Sequence, residues 1–238
     1  MKALIFDCDG VLVDTERDGH RVAFNRAFAA AGIDAEWDVE LYGELLKIAG
    51  GKERMTHYFN QHGWPNGKTA ETLIPELHKR KTAIFTDLIA KGSLPLRPGV
   101  ARIVDEAHAA GVRLGVCTTS DPKAIDGVLD LFGAERKKWF EIVLAGDIVK
   151  KKKPDPEIYN LAKQRLKLEG KDCVVVEDSR NGLLASLGAG MPTLITTSTY
   201  TKDEDFKGAA KVVPELGDPP RVVVTLKDLK AIGAQRAA

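Results

Sequence analysis

Residues 3–10 read A-L-I-F-D-C-D-G, in which an apolar run of strand length ends at two carboxylates, Asp7 and Asp9, and a glycine follows. Ligands of parallel sheets bind beyond the carboxyl ends of the strands, and side chains two residues apart in an extended chain share a face. We therefore expect the two carboxylates to face the same way and to repel each other unless a cation binds. Mg²⁺, with its preference for oxygen ligands, is the simplest partner. The alternative is a buried strand followed by a polar turn with two ordinary aspartates.

Length and composition narrow the class of protein. A chain of 238 residues fits one main domain with a sizeable insertion. Lys and Arg total 35 against 34 Asp and Glu, so charge gives no reason to expect nucleic acid or a membrane surface as partner. A small molecule is the expected partner, and we expect a monomer. No apolar run approaches the ~18 residues that span a bilayer.

The three cysteines, Cys8, Cys117 and Cys173, are an odd number without CxxC spacing, and each lies in an apolar, strand-like run. This pattern predicts reduced, buried thiols, and it argues against a zinc site or a disulfide framework. A redox-sensing role for Cys8 is the alternative to a small spacer that faces the core.

A helical insert is predicted directly after the first strand. Asp14, Thr15 and Glu16 offer the chemistry of a helix start, and apolar residues then recur at spacings of three and four to about residue 93. Breaks are predicted at residues 49–51, at residues 63–65 and at Gly92. We expect a helical cap domain over residues 15–93, inserted into an α/β core formed by residues 1–14 and 94–238.

The remainder of the chain alternates between strands and helices. Strands are predicted at 112–117, 142–145, 173–176 and 193–195, and helices at 100–110, 124–132, 156–166 and 183–189; residues 222–232 suggest one further strand and a short helix. Near-continuous apolar strands indicate a parallel sheet covered on both faces. The predicted fold is therefore α/β.

Polar residues follow the predicted strands. Thr118 and Thr119 follow the second strand, and the acids Glu177 and Asp178 follow the fourth. Lys153 is the last of four consecutive lysines. The proline next to it fixes the local backbone where a helix begins, so we expect Lys153 to have a defined direction and the three lysines before it to be solvated. The threonines suit a phosphate or, alternatively, cap the next helix. If the first strand is central, these groups meet Asp7 and Asp9 at one edge of the sheet. The acids there need a cation to stay ionised together, whereas the lysine and the hydroxyl suit an anion. A divalent metal that bridges the carboxylates and a phosphoryl oxygen meets both requirements.

In these motifs the chain resembles the haloacid dehalogenase (HAD) superfamily of aspartate-nucleophile phosphatases. The resemblance rests on D-C-D-G, the Thr118 strand end, Lys153-Pro154 and Glu177-Asp178, in that order, and the insert resembles the family's C1 cap on a HAD-like Rossmannoid core. D-T-E-R-D-G-H, W-D-V-E-L-Y-G-E-L-L, G-G-K-E-R-M, L-R-P-G-V, K-K-K-P-D-P and V-V-V-E-D-S are similar to the CbbY group over nearly the whole chain, and most similar to its plant and algal plastid form. The resemblance implies hydrolysis of xylulose-1,5-bisphosphate, an inhibitor of Rubisco.

The resemblance also implies roles for individual residues. It makes Asp7 the nucleophile and Asp9 the general acid/base. The implied phosphate ligands are Thr118, the Thr119 amide and Lys153, and the implied Mg²⁺ ligands are Asp7, the Asp9 carbonyl, Glu177 and Asp178.

Substrate recognition is expected from the cap. Glycines allow close backbone approach, so residues 50–54 are predicted to form a loop from which Lys52 or Arg54 meets a second phosphate. The alternative is a helix start that bears exposed charges. Tyr42, Glu16 and His20 are candidates for the sugar hydroxyls, although the D-T-E-R-D-G-H segment is one residue longer than in bacterial relatives, which leaves the roles of Glu16 and His20 open.

Two other functions remain open at this point. A β-phosphoglucomutase-like hexose-phosphate mutase would share every catalytic residue, whereas a receiver-type signalling module would be about half as long and would lack a cap. Because the first residues already form a predicted strand, we expect no targeting peptide at the start of this sequence. The expected location is the chloroplast stroma if the source is a photosynthetic eukaryote, and otherwise the cytoplasm.

Overall fold

The computed structural model describes residues 1–48, 50–65, 67–91 and 94–234. The chain divides into two compact units, a core unit of Met1–Asp14 and Pro95–Ala238 and a helical unit of Thr15–Leu94. The breaks predicted at Ala49 and Gly92 lie outside the described residues, as does the predicted end of the cap at Ser93. In the described part of the chain, no helix has the length and apolar character needed to cross a membrane.

A six-stranded parallel sheet forms the centre of the core unit. The strands are β1 (Ala3–Phe6), β2 (Arg113–Cys117), β3 (Phe140–Leu144), β4 (Cys173–Glu177), β5 (Thr193–Thr196) and β6 (Lys211–Val213), in the order β3-β2-β1-β4-β5-β6. The predicted α/β class is confirmed. Every residue of β1 is buried because β2 and β4 flank it and both faces are covered.

The strands at the two edges differ from the prediction. β3 begins at Phe140, two residues early, because an edge strand with one exposed face alternates instead of running continuously apolar. The strand predicted near Val222 is wrong, since the sixth strand is Lys211–Val213. Val223 and Val224 instead direct their amides to the carbonyl oxygen of Leu216, in a loop outside the sheet.

The helical unit begins with a π-helical turn, Glu16–His20, followed by α1 (Arg21–Ala30), α2 (Val39–Leu45), α3 (Gly51–His62) and α4 (Ala70–Ala90). Aromatic rings fill its interior. Trp37 is fully buried, with ring centroids 4.7 Å from Phe24 and 5.0 Å from Phe28. The predicted helical character of this segment is confirmed, and its apolar residues form a core of their own.

In the described part of the core unit, the remaining helices are a short 3-10 helix at Gly170–Asp172 and six α-helices: α5 (Val100–Ala109), α6 (Pro122–Asp130), α7 (Ala134–Lys137), α8 (Glu157–Leu166), α9 (Arg180–Gly188) and α10 (Leu226–Ala234). Of the α-helices, α6 and α9 are capped close to strand ends. The side chain of Asp121 accepts from the Lys123 amide at 2.8 Å, and that of Ser179 accepts from the Gly182 amide at 3.1 Å. These caps keep the loops after β2 and β4 short and fixed.

Candidate active site

Four polar side chains lie at the carboxyl edge of the sheet, on three adjacent strands. Asp7 directly follows β1, Thr118 directly follows β2, Glu177 ends β4 and Asp178 comes next. All four are buried, and Glu177 is only 1% exposed. The central position of β1 therefore brings together at one edge side chains that lie up to 171 residues apart in sequence (178 − 7).

Lys153 joins this edge from the loop that precedes α8. Its Nζ atom lies 2.6 Å from Oδ1 of Asp7 and 2.5 Å from Oε1 of Glu177, and it donates to the Cys117 carbonyl at 2.9 Å. All three ammonium donors are thus engaged. Burial opposes the charge, but the two carboxylates outweigh it and raise the pKa of Lys153 above its usual range. The side chain is a fixed positive charge beside the Asp7 carboxylate.

Glu177 is held from several sides. Besides Lys153, it accepts from the Tyr159 hydroxyl at 2.6 Å and, at its other oxygen, from the Asp178 amide at 3.1 Å. A Cβ atom at Gly182 would lie only 1.9 Å from the carboxylate carbon, so α9 approaches Glu177 closely at a position that only glycine fits. The carboxylate is fixed by its neighbours and does not depend on a ligand for its orientation.

The carboxylates at this edge could hold a metal ion. Among the described residues, Asp7, Glu177 and Asp178 each offer an oxygen, and the three atoms lie within 4.8 Å of one another. Burial raises the pKa of Asp7 to about 7, although Lys153 opposes the shift. Burial and the adjacent Glu177 also raise the pKa of Asp178 well above its usual range. Three buried carboxylates beside one ammonium repel one another when they are ionised, which adds to the rise of these pKa values, and their donor chemistry fits a hard divalent cation.

Asp9 has surroundings different from those of Asp7. Its side chain is not part of the three-carboxylate cluster, and its Oδ2 atom accepts from the Ser120 hydroxyl. The reason is local, since β1 ends at Phe6 and the chain turns at Cys8. The rule that residues i and i+2 share a face holds only in extended chain, so it does not fix the direction of Asp9. Burial is the main cause of the raised pKa of Asp7, and the charge of Asp9 adds to it, as expected for two neighbouring carboxylates.

The segment after β2 does not cap the helix that follows. Asp121 provides that cap, while the Thr118 hydroxyl accepts from the Ser120 amide at 3.1 Å in a local turn. Thr118 is buried and Thr119 is exposed. The capping alternative is therefore wrong, and the two threonines stay candidates for binding a phosphate.

The lysines before Lys153 have other surroundings. The Lys152 ammonium pairs at 2.8 Å with the fully exposed Asp147, and that of Lys151 lies 3.7 Å from Asp155. Lys150 and Lys151 are exposed. Within the run, Lys153 is the member whose ammonium lies among the buried carboxylates.

The candidate substrate residues of the helical unit include a hydrogen-bonded chain. The Tyr42 hydroxyl donates to Oε2 of Glu16 at 2.6 Å and accepts from Nη1 of Arg54 at 3.0 Å. Arg54 is buried and also donates to the Leu45 carbonyl at 3.0 Å. The expected loop at residues 50–54 is wrong, because α3 begins at Gly51 and places Arg54 in its first turn, where it turns inward.

Lys52 and His20 have contrasting environments in the same unit. Lys52 is exposed near the start of α3, as the alternative reading of that segment predicted. His20 lies with Nδ1 2.9 Å from the Lys81 ammonium, and its ring centroid is 3.9 Å from that of Phe85. Burial lowers the pKa of His20 well below its usual range, and Lys81 adds to the effect. His20 is therefore neutral and can accept from the ammonium.

Sequence reasoning missed Tyr159 and Lys81 as members of these clusters, and it did not single out Ser120 as a partner of Asp9. Tyr159 lies on the buried face of α8, where the sequence pattern predicts only that an aromatic residue packs in the hydrophobic core. Lys81 is buried in the middle of α4 with its ammonium 4.8 Å from the centroid of the Phe24 ring. A lysine at an inward position of an amphipathic helix is the one signal that could have identified it.

The sequence is similar to those of known hydrolases. A profile of haloacid dehalogenase-like hydrolases matches residues 1–190. A CBBY-like protein of Arabidopsis thaliana is 54% identical over 224 residues, which cover 92% of this chain and 70% of that protein. The similarity therefore extends over the helical unit as well as the core unit.

Solved structures give the same result. CbbY from Rhodobacter sphaeroides in complex with phosphate has a TM-score of 0.81 and 38% identity, and the match covers 97% of this chain and 99% of that one. A mutant of the same protein in complex with xylulose-1,5-bisphosphate has a TM-score of 0.78 and 39% identity, covering 92% and 96%.

Proposed function

Since the chain belongs to the haloacid dehalogenase-like hydrolases, we propose that this phosphatase is Mg²⁺-dependent and acts through an aspartyl phosphate on a sugar bisphosphate. The observation that carries the proposal is the Asp7 carboxylate, 2.6 Å from the Lys153 ammonium and clustered with Glu177 and Asp178. This arrangement provides a nucleophile, a positive charge for a phosphoryl group and ligands for a cation.

The reaction divides between two aspartates. An Asp7 oxygen attacks phosphorus, and the bond from phosphorus to the sugar oxygen breaks. Asp9 gives its proton to the leaving alkoxide and later takes a proton from the water that hydrolyses the aspartyl phosphate. Lys153 and Thr118, with the amide of Thr119, bind the phosphoryl oxygens. A Mg²⁺ ion bound by Asp7, the Asp9 carbonyl, Glu177 and Asp178 would neutralise phosphoryl charge.

The proposed substrate is xylulose-1,5-bisphosphate, which would give xylulose-5-phosphate and phosphate. Support comes from the R. sphaeroides relative that was crystallised with this sugar and from the similarity to a plant protein. Removal of a Rubisco inhibitor in the chloroplast stroma of a photosynthetic eukaryote is the corresponding biological role. A mutase would share the same catalytic residues, and the two activities are distinguished by their products.

The function is tested by measuring phosphate release from xylulose-1,5-bisphosphate and ribulose-1,5-bisphosphate, with Mg²⁺ and with a chelator. We expect one phosphate per sugar, a dependence on Mg²⁺, and a higher kcat/KM for the xylulose compound. An isomerised sugar phosphate without net phosphate release would establish a mutase. Full activity after exhaustive chelation would remove the metal from the mechanism.

Replacing Asp178 with asparagine is expected to weaken Mg²⁺ binding at least about 10-fold, because even indirect partners of metal ligands cost 10–100-fold when lost. The amide keeps the shape that fits against Gly10, where a Cβ atom would lie 2.0 Å from Oδ2 of Asp178. Titration calorimetry with MgCl₂ measures the effect without any turnover. Asp172→Asn, at the opposite end of β4, is the matched control and should bind Mg²⁺ like the wild type. Equal affinity in all three proteins would remove Asp178 from the metal site.

Lys52 is the proposed contact for the second phosphate. Arg54 is a weaker candidate, because its guanidinium is buried and bonded to Tyr42 and Leu45. Lys52→Ala should lower kcat/KM for the bisphosphate by roughly 10–100-fold, the value of a hydrogen bond to a charged group, and should leave p-nitrophenyl phosphate hydrolysis nearly unchanged. Lys47→Ala, which removes an exposed lysine paired with Glu44, is the control. Equal losses on both substrates would show that Lys52 does not bind the second phosphate.

A further inference from the structure

The loop that carries Asp9, residues 8–13, is compact. The Leu12 amide donates to the Cys8 carbonyl at 2.9 Å, and the Gly10 amide donates to the Val13 carbonyl at 2.8 Å. Gly10 has a φ of +79°, which favours glycine. These bonds define the shape of the loop, but none of them ties it to the rest of the sheet.

Arg97 supplies that attachment. Its guanidinium donates to the Gly10 carbonyl, and its backbone amide donates to the Leu12 carbonyl at 2.8 Å. The same guanidinium also donates to three carbonyls at the carboxyl ends of β5 and β6, those of Thr196 (3.2 Å), Thr197 (2.7 Å) and Pro214 (2.6 Å). Arg97 therefore links the loop after β1 to the ends of β5 and β6.

Only arginine can make this set of contacts. Its planar group has five N–H donors in a fixed fork, and here two nitrogens serve four carbonyls from three segments of chain. A lysine ammonium has three donors on one atom and cannot span them. Since the acceptors are all backbone carbonyls, these hydrogen bonds fix the main chain both in the loop of residues 8–13 and at the ends of β5 and β6.

We propose that Arg97 is a positioning residue, which holds the loop of residues 8–13 so that the Asp9 carboxyl group can transfer its proton. The inference rests on the role proposed above for Asp9. Arg97 does not touch the reacting atoms, and it acts through Gly10, the residue that follows Asp9.

Two substrates distinguish a positioning effect of Arg97 on Asp9 from a general loss of protein stability. Cleavage of a sugar phosphate releases an alkoxide, which must take the proton from Asp9 as the bond from phosphorus to oxygen breaks. Cleavage of p-nitrophenyl phosphate releases a stable phenolate, which leaves without a proton. Formation of the aspartyl phosphate from p-nitrophenyl phosphate therefore does not depend on a proton from the Asp9 carboxyl group, and its rate is the first-turnover release of nitrophenolate.

The experiment compares single-turnover cleavage of xylulose-1,5-bisphosphate with the first-turnover release of nitrophenolate. Arg97→Ala should slow the former by about 10–100-fold, since a displacement of about 1 Å can cost 10²-fold, and should change the latter by only a small factor. Asp9→Asn should show the same selective loss. Arg97→Lys keeps a positive charge but cannot reach all four carbonyls, so it should show the selective loss even if Arg97→Ala does not fold.

Arg102 offers a matched control. Its guanidinium also donates to backbone carbonyls, those of Leu216, Gly217 and Val224 at 3.2, 2.7 and 2.9 Å, but none of these lies in the loop of residues 8–13. Arg102→Ala should affect both substrates equally. If the Arg97 variants slow both substrates equally while Asp9→Asn is selective, the positioning role is overturned and the role of Asp9 stands. If Asp9→Asn is not selective, both proposals fail.

Discussion

Replacement of Asp7 by asparagine is expected to lower phosphate release by at least roughly 10⁴-fold, the scale on which loss of a catalytic nucleophile acts. The amide has the shape of the carboxylate but no anionic oxygen that can attack phosphorus. The protein should stay folded, because the Lys153 ammonium keeps its bonds to Glu177 and to the Cys117 carbonyl. Phosphate release and circular dichroism of the purified variant measure the two effects.

A second aspartate provides the control for this substitution. Asp147 also follows a sheet strand, but its side chain is fully exposed and pairs with Lys152. Asp147→Asn should leave turnover unchanged. Appreciable turnover by the Asp7 variant would show that another group attacks phosphorus, and failure to trap a phosphorylated wild-type protein after acid quenching would argue against a covalent intermediate altogether.

The central part of the fold could be predicted from the sequence for a physical reason. β1 and β4 are buried throughout, so β1 and the first four residues of β4 appear as continuous apolar runs. Polar residues directly after such runs stand out, and parallel pairing brings them to one edge. The lysine next to Pro154 could be distinguished from its neighbours because the residues that follow fix the local backbone.

The edges of the sheet could not be predicted in the same way. In β6 only Val213 is buried, so the strand carries almost no hydrophobic signal, whereas residues 222–224 are three valines that form no strand. Which segment pairs with β5 depends on the course of the chain between them. That course is set by tertiary structure, and the local sequence does not determine it.

Side-chain orientation in the candidate site was also beyond the sequence. Asp9 lies in a turn, so its direction depends on bonds such as the one from Ser120. Arg54 follows two glycines and reads as an exposed charge, yet it turns inward because the Leu45 carbonyl and the Tyr42 hydroxyl offer acceptors. These two partners of Arg54 lie 9 and 12 residues before it, and their positions follow from packing of the helices.

Lys153→Ala is expected to reduce turnover by roughly 10²–10³-fold, the usual effect of removing one group that stabilises charge in the transition state. It should also destabilise the metal-free protein by about 3–5 kcal/mol, because it breaks a buried ion pair and leaves uncompensated charge. The side chains of Lys153, Asp7 and Glu177 are 9%, 10% and 1% exposed, so solvent cannot replace the lost ammonium. Turnover at saturating Mg²⁺ and urea unfolding in a chelating buffer measure the two effects.

Lys152→Ala is the matched control, since it removes the neighbouring ammonium, which pairs with the exposed Asp147 and donates to the Gly146 carbonyl but contacts none of the buried carboxylates. Exposed pairs contribute about 0–1 kcal/mol, so the free energy of unfolding and the turnover should stay close to the wild-type values. Added Mg²⁺ should stabilise the Lys153 variant more than the wild type, because the cation would face the carboxylates without a competing ammonium. If both lysine variants lose turnover and stability equally, Lys153 has no special place in the run and its contact with Asp7 has no part in the reaction.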